Sequence, residues 1–134
     1  TLASLKMKLF INISTTALAI IFLWSCGKSN PETIPTMTSP QGEKLLSNQD
    51  YIFLDVRTEQ EHDVGHIPNS THIPVGSLET RIDEIEKFKD KKIVVYCRSG
   101  NRSAKGTTIL IKSGFEAVNL SGGMLQWKGP VDKK

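Results

Sequence analysis

The run Lys91-Lys92-Ile93-Val94-Val95-Tyr96 leads directly into the turn Cys97-Arg98-Ser99-Gly100-Asn101-Arg102-Ser103, and a helical pattern follows from Ala104 to Ser113. Ile93 to Tyr96 is apolar at successive positions, so both faces of that strand must be buried. This is the pattern of a strand inside a parallel sheet covered by helices on both faces. Such a sheet places its ligands beyond the carboxyl ends of its strands, where Cys97 falls. The turn combines one thiol, two arginines and a glycine, and Ser103 is a residue type that caps the amides of a starting helix. Converging backbone N–H groups, the positive end of the following helix and the charges of Arg98 and Arg102 together describe an anion cradle around a thiol. A cysteine in that field is expected to titrate below its free value of about 8.5 and to act as a nucleophile.

The remaining elements alternate in the way this strand requires. A helix is expected around Pro40 to Leu46, a strand over 51–56, and a short helix from Thr58, where Thr58-Glu59-Gln60-Glu61 fits a capping box. A short strand near 71–73, a helix from Ser77 to about Phe88, the strand 91–96, a helix over 103–113 closed by Gly114, a strand over 117–120 and a turn or helix at 122–127 complete the order. The fold class is therefore α/β, with a central parallel sheet flanked by helices on both faces.

Four segments in this order resemble the rhodanese-like (single-domain sulfurtransferase) family. They are Phe53-Leu54-Asp55-Val56-Arg57 with Glu61, then Gly65-His66-Ile67-Pro68, the Cys97 to Ser103 loop, and Leu120-Ser121-Gly122-Gly123-Met124 with Trp127. His62 stands where the family usually has an aromatic residue, and Asn69-Ser70 replaces a common small pair. The resemblance implies thiosulfate sulfurtransferase activity with Cys97 as catalytic nucleophile carrying a persulfide. Arg98, Ser99, Gly100, Asn101, Arg102 and Ser103 would bind the substrate. It places Asp55 beside the loop, where it would hold Arg102 or a loop amide. Arg57 is expected to pair with Glu61 one helical turn away. Trp127 and the Gly122-Gly123 pair read as packing and turn residues.

The N-terminus has a different character. Lys8 follows Met7, the stretch Leu9 to Trp24 is mostly apolar, and Ser25-Cys26-Gly27 comes next. Residues 1–25 are read as a lipoprotein-type signal peptide and Cys26 as the lipidated residue, which would anchor the domain to a bacterial envelope membrane, outside the cytoplasm. Residues 26–37 have the polar, proline-bearing composition of a flexible tether, 38–130 form the domain, and 131–134 are a tail. Outside the leader, 15 basic residues face 14 acidic ones, which argues against nucleic acid as a partner.

Small-molecule sulfur donors and acceptors are the expected partners, and a monomer is expected. With Cys26 on the tether, Cys97 is the sole thiol of the domain, so neither a disulfide nor dithiol chemistry is expected. His62, His66 and His72 fit no compact zinc spacing, so no metal and no cofactor are expected. Two alternatives remain: a non-catalytic binding or sulfur-carrier module, and a phosphatase or arsenate reductase-like enzyme. The latter's loop needs five residues between Cys and Arg, where this chain has four between Cys97 and Arg102.

Overall fold

The structure, a computed structural model, describes residues 33–134. The signal peptide, Cys26 and most of the tether lie outside the described residues. A five-stranded, wholly parallel sheet runs in the order β1-β5-β4-β2-β3, with β1 Thr36–Thr38, β2 Tyr51–Asp55, β3 Thr71–His72, β4 Lys92–Tyr96 and β5 Glu116–Ser121. Among the described residues four α-helices are interleaved: α1 Ser39–Glu43, α2 Glu59–Val64, α3 Asn101–Lys112 and α4 Gly123–Gln126.

The apolar run of β4 is buried on both sides. Ile93, Val95 and Cys97 join Leu54, Val56, Leu110 and Phe115 in one cluster, whereas Val94 and Tyr96 join Phe53, Leu120 and Trp127 in the other. Alternation of side chains along the strand thus feeds two separate cores, the physical reason that a central parallel strand reads as continuously apolar. Trp127 meets Phe53 edge to face at 5.9 Å between ring centroids, consistent with a packing role.

The capping box at Thr58 forms: Thr58 Oγ1 accepts from the Glu61 amide, and the Glu61 carboxylate accepts from the Thr58 amide at 3.1 Å. Three expectations need correction. Residues 36–38, assigned to the tether or its boundary, instead form edge strand β1, because the Asn119 amide donates to Pro35 O at 2.8 Å and Thr36, Met37 and Thr38 register against Asn119, Leu120 and Ser121. The helix expected over 77–88 is two 3-10 segments, Val75–Ser77 and Ile82–Phe88, with Ile85 buried. Finally, α3 begins at Asn101 with Gly100 as its N-cap, two residues before the expected start, and Ser103 lies inside the first turn.

Candidate active site

Cys97 directly follows β4 and is 1 % exposed, at the start of the turn that leads into α3. Gly100 makes that approach feasible by adopting φ 105°, a left-handed conformation that side chains oppose. The Gly100 amide donates to Cys97 Sγ at 3.1 Å, and amides of Ser99 and Ser103 also turn toward the sulfur. Burial pushes the Cys97 thiol up, but hydrogen bonds from Ser103, Gly100 and Ser99 outweigh it and hold the thiol below its ordinary range. The expected amide cradle is therefore present, and hydrogen bonds rather than arginine charge lead the lowering.

The two arginines differ. Arg102 forms a bidentate pair with Glu61, at 2.7 and 2.8 Å, and this hydrogen bond holds the Glu61 carboxyl down at about 2. Its charge is therefore already neutralised across the gap between α3 and α2. Arg98 is exposed, and among the described residues its side chain has neither ion-pair nor hydrogen-bond partner. It borders a cleft of about 460 Å³ together with Gln60, Glu61, Val64, Met124 and Leu125. Asn101, Ser99 and Arg98 are exposed, whereas Ser103 is fully buried against Cys97.

The loop is backed by α4. Met124 and Leu125 amides donate to the carbonyl oxygens of Cys97 and Arg98 at 2.9 and 3.0 Å. Gly123, at φ 50°, permits this close approach, because a Cβ there would lie 2.3 Å from the Cys97 carbonyl oxygen. The Gly122-Gly123 pair is thus a turn that supports the loop from below, as its composition implied.

Asp55 does not hold Arg102 or a loop amide. Fully buried at the end of β2, it takes Arg57 Nε and Nη2 at 2.9 and 2.6 Å, the Arg57 amide at 3.0 Å and His62 Nδ1 at 2.9 Å. Burial raises this carboxyl, but the Arg57 and His62 contacts outweigh it and the balance is a lowered value. The expected Arg57–Glu61 pair is likewise absent. Two residues along an extended chain end bring Arg57 back onto Asp55, so Glu61 is left free to reach Arg102.

Beside this pair the three histidines stack. His62 lies between His66 and His72, with centroids 3.9 and 4.4 Å away and planes within 15°. His66 Nδ1 reaches His62 O at 2.8 Å and His72 Nε2 reaches Arg57 O at 2.9 Å, a structural use of each ring.

Sequence reasoning missed Asn119 and assigned Glu61 the wrong partner. Asn119 Oδ1 accepts from Ser103 Oγ at 2.6 Å and its Nδ2 donates to Gly100 O at 3.3 Å, tying β5 to the loop. The available signal was one polar residue within the otherwise apolar stretch Ala117-Val118-Asn119-Leu120.

A second cavity of about 480 Å³ lies at the other end of the sheet, among Pro35, Met37, Tyr51, Lys92 and Val118. No cysteine lines it. Among the described residues no helix is long and apolar enough to cross a membrane.

Residues 39–130 match the rhodanese-like domain family. The chain is 35% identical over 97 residues to the Bacillus subtilis protein YtwF, covering 72% of this chain and 92% of that one. It is 36% identical over 86 residues to a sulfurtransferase of Allochromatium vinosum, covering 63% and 78%. A tRNA uridine(34) hydroxylase of Cronobacter sakazakii is 32% identical over 88 residues, covering 62% of this chain but only 25% of that longer protein. The crystal structure of a rhodanese-like domain protein from Staphylococcus aureus superposes with a TM-score of 0.67 at 31% identity, over 75% of this chain and 99% of that one. A buried cysteine ringed by amides at the junction of a central parallel strand and a helix, together with this match over most of the described residues, places the chain in the rhodanese-like sulfurtransferase family.

Proposed function

We propose that the protein moves sulfane sulfur from thiosulfate, or a donor of the same chemistry, to a thiophilic small-molecule acceptor through a persulfide on Cys97. The observation that carries this reading is the Gly100 amide donating to Cys97 Sγ at 3.1 Å, with hydrogen bonds from Ser103, Gly100 and Ser99 lowering the thiol, next to an Arg98 whose side chain has no partner among the described residues. The Cys97 thiolate attacks the outer sulfur of thiosulfate, the S–S bond of the donor breaks, and its electron pair leaves with sulfite. The outer sulfur of the new persulfide carries the negative charge. An acceptor nucleophile then bonds to that sulfur, and the pair of the second S–S bond returns to Cys97 as thiolate. No oxidant is consumed in this ping-pong cycle.

Arg98 is suited to guide the donor, since its charge is uncompensated at the mouth of the cleft, whereas Arg102 braces the loop through Glu61. Four residues between Cys97 and Arg102 favour a single sulfur over a phosphoryl group with its three further oxygens. The test is the mass of the protein before and after thiosulfate: one added sulfur atom, lost on treatment with cyanide. Efficient hydrolysis of an aryl phosphate would favour the phosphatase reading, and no sulfur uptake with no turnover would favour a binding or carrier module.

The leader supports export with lipid attachment at Cys26, which would hold the domain on a bacterial envelope membrane. Membrane fractionation of the protein and of Cys26→Ala tests this. Equal retention of both forms excludes lipidation as the anchor.

A further inference from the structure

The Ser103 hydroxyl stands between two groups and has one proton to give. Its Oγ lies 2.6 Å from Asn119 Oδ1 and 3.4 Å from Cys97 Sγ. The direction of that proton follows from donor and acceptor chemistry. Gly100 O can only accept, and it lies 3.3 Å from one end of the Asn119 amide, so that end must be the NH2 group. The other end is then the carbonyl oxygen, an acceptor, and the Ser103 O–H must donate to it. What Ser103 turns toward Cys97 is therefore a lone pair.

A neutral Cys97 thiol completes this arrangement as an S–H···Oγ–H···Oδ1 chain in which every group is satisfied. A Cys97 thiolate does not fit it. To receive the Ser103 proton, the thiolate must take it from Asn119, leaving a buried carbonyl oxygen unpaired. With the hydroxyl withheld, what is left to receive the charge of a thiolate is the backbone, led by the Gly100 amide at 3.1 Å. A persulfide escapes the conflict. Its Sγ bears neither proton nor charge, its outer sulfur carries the charge, and the Ser103–Asn119 bond stays intact.

We propose that Asn119 is a positioning residue of the transfer site, which turns the Ser103 proton away from Cys97 and so favours the sulfur-loaded form over the free thiolate. The proposal rests on Cys97 being the sulfur carrier. The other charged groups around the site are Arg98 on the loop, Arg102 on α3 paired to Glu61 on α2, and Asp55 with Arg57 at the end of β2; α4 carries none, and the only charge on β5, Glu116, sits at the opposite end of that strand. All of these charges remain in place when Asn119 is replaced, but the replacement also removes its bond to Gly100 O, so the Ser103→Ala background is what isolates the hydroxyl.

The test uses the full chain and reads iodoacetamide modification of the Cys97 peptide by mass spectrometry, so that Cys26 does not contribute. Asn119→Leu and Asn119→Ala release the Ser103 proton to sulfur. At pH values below the thiol pKa, alkylation should rise about three- to tenfold, the size of one hydrogen bond. Ser103→Ala removes only an acceptor of the S–H, so alkylation there should stay level or rise slightly, and Asn119→Leu should add nothing in the Ser103→Ala background.

A fall in alkylation in Ser103→Ala would show that the hydroxyl already donates to sulfur, and would overturn the proposal. So would an Asn119→Leu effect that persists without Ser103. Should the Asn119 variants fail to fold, the sign in Ser103→Ala decides. In the transfer reaction, Asn119→Leu should raise about three- to tenfold the thiosulfate-to-sulfite ratio needed to load half the protein, again one hydrogen bond's worth. If the unmodified protein takes up no sulfur at all, the sulfurtransferase reading fails, while the alkylation series still judges the relay.

Discussion

Two neighbouring strands end in polar clusters that are built in opposite ways. At the end of β2, Asp55, Arg57 and the stack of His62, His66 and His72 satisfy one another, and Asp55 is fully buried. At the end of β4, Cys97 is ringed by amides, and the adjacent Arg98 has no side-chain partner among the described residues. A closed cluster fixes geometry, because each of its charges is already compensated. A cluster with donors to spare keeps them available to a ligand. The β2 end therefore holds α2 in place, and α2 in turn presents Glu61 to Arg102 at the start of α3.

The sharpest separation of the two ends is Cys97→Ser. It should lower sulfur transfer more than about a thousandfold with an unchanged melting temperature, since it removes the nucleophile alone. Residual turnover within tenfold of the parent would mean that Cys97 is not the carrier.

Asp55→Ala should do the reverse, costing about 3–5 kcal/mol of stability by leaving the Arg57 guanidinium buried and unpaired. Denaturant unfolding reads this directly. A loss below about 1 kcal/mol would show that the β2 end is not the closed structural cluster described.

Gly123→Ala probes the support beneath the loop. The added Cβ would meet the Cys97 and Arg98 carbonyls at a positive φ, so a loss of about 2–3 kcal/mol is expected. Transfer should fall with it, because those carbonyls hold the backbone of the loop that carries the amides.

Arg98→Ala should reduce kcat/KM for thiosulfate about three- to tenfold, a modest loss because the side chain is solvated. Steady-state rates at two salt concentrations check it. The parent should lose activity with added salt, and the variant should lose less.

The smallest effect concerns pH. Burial, aided by the neighbouring His66 and His72, holds His62 below the ordinary imidazole value of 6.5, so the stability it contributes is present above that pH and lost as pH falls below it. His62→Phe should flatten the melting temperature between pH 7 and about pH 5. Glu61 acts in a separate window: its carboxyl is held at about 2 by Arg102, so the clamp on the loop is lost only as pH falls from 4.5 toward 2. A His62→Phe profile as steep as the parent's would assign the acid sensitivity to another group.

Much of this was legible in the chain itself. The continuous apolar run of Ile93 to Tyr96 fixed the parallel sheet, the Thr58 to Glu61 box fixed the start of α2, and the loop composition pointed to amides gathered at Cys97, because each depends on residues close in sequence. Interactions across the fold were not legible in this way. That Arg57 turns back to Asp55, that Glu61 reaches Arg102 across 41 positions, and that Asn119 accepts the Ser103 hydrogen bond all follow from how neighbouring strands and helices stack side by side. The brief strand at Thr36–Thr38 has the same origin: its sequence resembles a linker, and only the free edge of β5 makes it a strand. Local chemistry determined where the thiol and its amides sit; the tertiary arrangement decided which of the surrounding charges and protons are already spoken for.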